Sequence, residues 1–176
     1  MLIAQQRSAL SGFTHDLAVA DGTVIGELRF PDWAEARNAR LKNPLPGHWR
    51  STIDLTLSGT AYTIEFEYTR RGFVNDVRYE LMRAGRCVAT ADVTRAPGWP
   101  RLPRIRVSGP CSGELVRCFG RLKTRFDWVQ GGQITGHIEE MDLFAVRRRI
   151  GTHLPPDVPL EVQGLLLFLV RVIAFS

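Results

Sequence analysis

Hydrophobic and polar positions alternate with period two from Phe13 to Ile150, the pattern of strands with one buried face. Ile53, Leu55 and Leu57 alternate with Thr52, Asp54 and Thr56; Tyr62, Ile64, Phe66 and Tyr68 alternate with Thr63, Glu65 and Glu67. Val24, Gly26 and Leu28 share a face, as do Ile105 and Val107. Leu122, Phe126 and Trp128 face one way, and Arg121, Lys123 and Arg125 the other. Asp21-Gly22, Ser58-Gly59, Ala84-Gly85 and Gly131-Gly132 punctuate these runs as hairpin turns. Together they predict strands near 13–20, 23–30, 51–57, 61–68, 73–82, 86–94, 103–108, 112–118, 121–130, 133–139 and 142–149, with a further strand near 2–7. Between Pro31 and Arg50 lies a long connection in which Trp33 to Lys42 can form a short helix capped by Asp32. The segment Ala96–Pro103 reads as a loop.

Three of the hairpins look alike. Gly22-Thr-Val-Ile-Gly26-Glu-Leu28 matches Gly132-Gln-Ile-Thr-Gly136-His-Ile138, and Gly85-Arg-Cys-Val-Ala89-Thr-Ala91 is a weaker copy. Each places a small residue four positions after the turn glycine. On an inner face such a residue leaves room for something bulky to approach the sheet.

The final segment breaks the alternation. After His153-Leu-Pro-Pro-Asp157-Val-Pro159, the stretch 160–175 has no polar face. Asp157 is the candidate N-cap, and Pro159 fits a first helical turn. A helix apolar all round must be buried in protein or in lipid. Three readings compete: a marginal membrane anchor, a central strand or hairpin, and a helix enclosed by the strands. A spanning helix needs about 20 predominantly apolar residues, and this stretch carries Glu161, Gln163 and Arg171. Eleven or twelve strands closed into a barrel leave a lumen too wide for side chains alone, and a helix threaded through it fills that space. The enclosed helix is therefore the preferred reading, with Gly26, Ala89, Ala91 and Gly136 giving it clearance.

The hairpin series and the closing Leu-Pro-Pro…Pro-Leu…Leu-Leu-Leu-Phe-Leu-Val resemble the tubby C-terminal-like superfamily, nearest to its LURP-one-related and scramblase-like members. The resemblance runs from about Phe13 to Phe175. It implies a mainly β fold: a closed antiparallel barrel of about twelve strands around a hydrophobic C-terminal helix, forming one domain over 1–176. For function it implies phosphoinositide binding in tubby proteins, calcium-linked lipid work in scramblases and no settled activity in LURP-one relatives. No palmitoylation-type cysteine cluster and no scramblase-type calcium loop occur in the chain.

Composition adds little until charge is considered. The 176 residues are 44% hydrophobic and 23% charged, which excludes a disordered tail, a collagen-like rod and a multi-span membrane protein. The net charge is +5, almost wholly from arginine, since Lys42 and Lys123 are the only lysines. Arg121, Lys123 and Arg125, with Arg104 and Arg106 on a nearby strand, form the candidate anion- or lipid-binding stripe. Their competing reading is the solvated outer face of a barrel. Nucleic acid is the weaker partner, because no aromatic residues interleave with these cations. Arg147-Arg148-Arg149 either meets a membrane surface or pairs with the acidic 139–142 segment.

His137 and Glu139 share a strand face beside Glu140 and Asp142, but two ligands without a third bind a metal weakly, so no metal or cofactor is expected. His15 and His48 have no identifiable partners, and His153 reads as part of the turn before the helix. Ser108-Gly-Pro-Cys111-Ser-Gly113 is a turn and not a nucleophile motif. Cys87, Cys111 and Cys118 lack the spacing of a disulfide framework or a zinc site, and the first eleven residues do not read as a signal peptide. The expectation is a cytoplasmic protein, with peripheral membrane association as its extension. It is a non-catalytic module that recognises an anionic phospholipid headgroup or a protein partner. The alternatives are a lipocalin-like carrier of a small apolar ligand and a tail-anchored scramblase-like protein.

Overall fold

A computed structural model describes residues 1–7, 14–30, 53–70, 76–95, 103–118, 122–142 and 148–175. Twelve strands close into one antiparallel barrel: β1 (Leu2–Gln6), β2 (Thr14–Val19), β3 (Val24–Arg29), β4 (Ile53–Leu57), β5 (Thr60–Arg70), β6 (Asp76–Arg83), β7 (Arg86–Arg95), β8 (Pro103–Ser108), β9 (Gly113–Arg117), β10 (Arg125–Gln130), β11 (Gln133–Glu140) and β12 (Arg149–His153). Each strand pairs with its neighbours in sequence, and β1 closes the ring by pairing with β12 through Ile3–Gly151 and Ala4–Ile150. The strand near 2–7 is thus the one that removes the open edge.

The last segment is helix α1 (Leu160–Phe175). Val162 to Val170 are nine consecutive buried residues. At about 100° per residue, nine residues circle the helix more than twice, so every side of it is covered by protein. The enclosed-helix reading holds, and no helix among the described residues is long and apolar enough to cross a membrane. Phe168 sits near the middle of the packing, with Phe30 and Tyr79 ring centroids at 5.3 and 5.6 Å. Trp128, Phe126, Leu55, Ile64, Leu81, Ile105 and Leu115 line the barrel around it.

One polar network ties the helix to the seam. Thr152 points inward from β12; its hydroxyl accepts from the Leu2 amide at 2.9 Å and lies 2.8 Å from Gln163 Oε1. Gln163 Nε2 in turn donates to the Val158 carbonyl. The helix occupies the expected span, but its cap lies two residues later than the sequence suggests. The Pro159 carbonyl accepts the first helical bond, from Gln163 N, so Pro159 and not Asp157 holds the cap position.

The hairpin repeat marks a bulge. In β3, β7 and β11 the residue three positions after the turn glycine (Ile25, Val88 and Thr135) is skipped by the ladder. An extra residue reverses the alternation beyond it. Val24 and Ile134 therefore stand 60% and 65% exposed, while Ile25 and Val88 pack on the core. The small residues do not all serve the helix as expected. A Cβ at Gly26 would strike the Thr56 carbonyl oxygen of the adjacent strand. One at Gly136 would strike the chain at His153–Pro155, where it bends over the rim toward α1. On the helix side the clearance comes from Gly164, where a Cβ would sit 3.0 Å from Leu55 Cδ2.

Two strand limits differ from expectation. β10 begins at Arg125 instead of 121, and Leu122 is 91% exposed, an isolated apolar residue outside the sheet. β12 runs Arg149–His153 instead of 142–149; its inward Thr152 is polar and so breaks the hydrophobic alternation. The expected helix over 33–42, most of the Ala96–Pro103 loop, His48, Arg121 and Arg147 lie outside the described residues.

Candidate functional site

The five cations of the expected anion stripe do not form one stripe. With β10 starting at Arg125, Lys123 and Arg125 do not alternate along a common strand, and Arg121 lies outside the described residues. Lys123 Nζ donates to the Met141 carbonyl at 2.6 Å. Arg125 is a half-buried guanidinium whose Nε donates to Asp127 Oδ1 at 2.9 Å, with Nη1 3.7 Å from Glu139 Oε2. Arg104 and Arg106 stand exposed on β8, separated from β10 by β9. Arg106 lies in the ladder between Asp92 and Glu114, and Arg104 Nη1 is 3.9 Å from Glu114 Oε1.

The same outer face holds a cluster that the sequence reading left incomplete. Across β10, β11 and β12 the ladder sets Asp127 opposite His137, and His137 opposite His153. One step along, Arg125 stands opposite Glu139, and Glu139 opposite Gly151. The His137 and His153 rings stack with centroids 4.6 Å apart and planes inclined by 20°. His137 Nε2 lies 3.7 Å from Glu139 Oε1. Burial holds the His137 imidazole below its ordinary pKa, and Arg125 and then His153 add to this, against Glu139 and Asp127. His137 is therefore a neutral ring at neutral pH. The sequence reads His153 as part of the turn before the helix because it places the last strand too early; a β12 ending at His153 brings it beside His137 by pairing alone.

Around this cluster the charges are matched. Asp142 accepts two bonds from Arg149, at 2.6 and 2.8 Å, which holds its carboxyl below the usual range. Arg148 approaches Glu140 at 4.0 Å. The tripeptide 147–149 thus meets the acidic 139–142 segment at the two arginines that are described. Burial raises the Cys118 thiol first, and its hydrogen bond to Asp127 raises it further. Cys87 and Cys111 are also pushed up, chiefly by burial. All three thiols therefore stay protonated at neutral pH, the unreactive form.

Fold and surface together define a barrel filled by its own helix, with ion pairs on its exterior and, among the described residues, a histidine–carboxylate cluster. Compared with protein-family models, curated proteins and solved structures, the chain gives no match in any of the three.

Proposed function

We propose that this protein is a non-catalytic, tubby-like binding module that takes its ligand on the outside of the barrel. The observation that carries this reading is the occupied interior: Leu165, Leu166, Leu167, Phe168, Leu169 and Val170 fill the lumen with at most 1% exposure. A lipocalin-like carrier would have to expel α1 to make room for cargo, which favours the exterior. The closed barrel around a C-terminal hydrophobic helix is also the architecture that the tubby-like resemblance implies.

The ligand we favour is an anionic phospholipid headgroup, met by Arg104 and Arg106 on β8 in a peripheral encounter with the membrane. Arg104 is 56% exposed, and its contact with Glu114 spans 3.9 Å. A surface pair of that kind is worth at most about 1 kcal/mol, so it yields to a phosphate. Lys123 and Arg125, being committed to Met141 and Asp127, contribute less.

Co-sedimentation of the full chain with phosphatidylcholine vesicles, with and without phosphatidylserine or phosphoinositide, tests this. Binding should require the anionic lipid and weaken with salt. At about 1 kcal/mol per arginine near such a surface, the Arg104→Ala/Arg106→Ala double variant should bind roughly thirtyfold more weakly. Equal binding to neutral vesicles, or no loss in the double variant, would overturn the headgroup reading.

A further inference from the structure

We propose that His137, Glu139 and His153 form a binding site for a divalent transition-metal ion of the zinc type. The site lies on the outer face of β11 and β12 and is independent of the headgroup reading.

The donor set comes first. Two imidazoles and one carboxylate suit zinc, copper and nickel, whereas magnesium and calcium prefer all-oxygen shells. Three protein donors leave at least one position of a tetrahedral ion open to water or to an incoming ligand.

Geometry comes second. One ligating atom from each of the three side chains lies within 4.8 Å of the other two. Bonds of about 2.0–2.2 Å in a tetrahedron need donors separated by about 3.3 Å. The remaining difference is small enough for side-chain rotation, with the backbone left in place. His153 is exposed and His137 and Glu139 are half-buried, so those rotations meet little obstruction and an ion can enter from solvent.

The scaffold comes third. His137 and His153 are direct cross-strand partners, and Glu139 is the next residue on the same face of β11. All three positions are therefore set by the ladder and not by a loop. Gly136, beside His137, has no side chain to push away the His153 carbonyl and the Leu154 backbone. The close approach of β12 to β11 at the two histidines thus depends on it. Opposing the ion is Arg125, 3.7 Å from Glu139, whose charge is partly offset by its shorter bond to Asp127. Asp127 adds a second carboxylate in the ladder position next to His137.

The experiment is calorimetric titration of the chelator-treated full chain with zinc chloride alone, paralleled by cobalt(II) absorption spectroscopy. We expect one-to-one binding in the micromolar range and cobalt bands of a four-coordinate site. His153→Ala removes an exposed ring at the strand end and should leave the circular dichroism unchanged while weakening binding at least about tenfold. Glu139→Gln should weaken it too. A folded His137→Ala protein should lose at least about tenfold in affinity, and imidazole NMR on the unaltered chain, which does not depend on that variant folding, should show the His137 and His153 signals shift with added zinc. Absence of zinc binding below about 1 mM, or unchanged affinity in His153→Ala and Glu139→Gln, would overturn the assignment.

Discussion

His15 links the filled barrel to pH. It points inward from β2 with 2% exposure, beside Phe30 at a ring-centroid distance of 5.5 Å. Arg171 Nε donates to its Nε2 at 3.4 Å, so the ring proton sits on Nδ1, which has no partner. Protonating Nε2 would both bury a cation and face it against the Arg171 guanidinium of α1. Burial and then Arg171 hold the pKa down at about 4, against the pull of Asp16 on the same strand. Arg148 and Glu140 act in turn on Arg171. The folded pKa lies below the ordinary 6.5, so between pH 6.5 and 4 the unfolded chain binds more protons. Stability from this group is full above pH 6.5 and is lost as pH falls toward 4. The loss is about 2 kcal/mol on going from pH 7 to pH 5, and about 3 kcal/mol once both states are protonated. Urea unfolding at pH 7, 6 and 5 should therefore show the natural chain losing about 2 kcal/mol more than His15→Leu, whatever the offset between the two proteins. Contributions from groups common to both proteins cancel. Parallel stability curves would refute a buried neutral His15.

Gly26→Ala places a methyl against the Thr56 carbonyl, a backbone atom that cannot swing aside. Its urea midpoint should fall by the equivalent of about 3 kcal/mol, the upper end of overpacking costs. Ala84 holds φ at 48° in the tight β6–β7 turn, and Ala84→Asn should raise stability by roughly 0.5–1 kcal/mol in the same assay, because Asn-Gly is the preferred pair there. Deleting 160–176 removes seven fully buried side chains, Val162 and those of 165–170, at about 2 kcal/mol each, as much as a domain's whole stability. Near-ultraviolet circular dichroism and amide exchange should report no folded barrel; a cooperative, protected core would sink the view that α1 is part of it.

Features that rest on local chemistry were legible in the sequence. Ser58-Gly59, Ala84-Gly85 and Gly131-Gly132 all have positive φ, as tight hairpins demand, and an apolar stretch with no polar face had to be enclosed. Features that rest on pairing were not. The repeat was visible, but that it encodes a bulge and turns Val24 and Ile134 outward depends on the neighbouring strand. Thr152 hid β12, because a polar inner residue reads as an outer one until Leu2 and Gln163 are seen to satisfy it. Leu122 extended β10 falsely by the opposite error. The grouping of the candidate site residues was hidden for the same reason. A count of arginines cannot show that Arg125 faces Asp127, nor can spacing along one strand bring His153 to His137.

Register also explains what the arginines do. Glu67, Arg78, Asp92, Arg106 and Glu114 lie in one row across β5 to β9, alternating in sign at every strand. Arg7 reaches both Asp16 and Glu27 across β2 and β3, and Arg149 grips Asp142. Each such surface pair contributes less than about 1 kcal/mol. A slip of one residue, however, would turn the charged set inward and the apolar set outward on every strand. The alternation therefore acts chiefly against misregistered closure of a twelve-strand ring, which has many near-equivalent pairings to avoid. Arginine matched in this way helps to specify the fold, at pair energies small enough to leave exposed members such as Arg106 open to a second partner. Two facing imidazoles with a carboxylate beside them stand outside that row, so an ion bound there would leave the charge alternation across β5 to β9 intact.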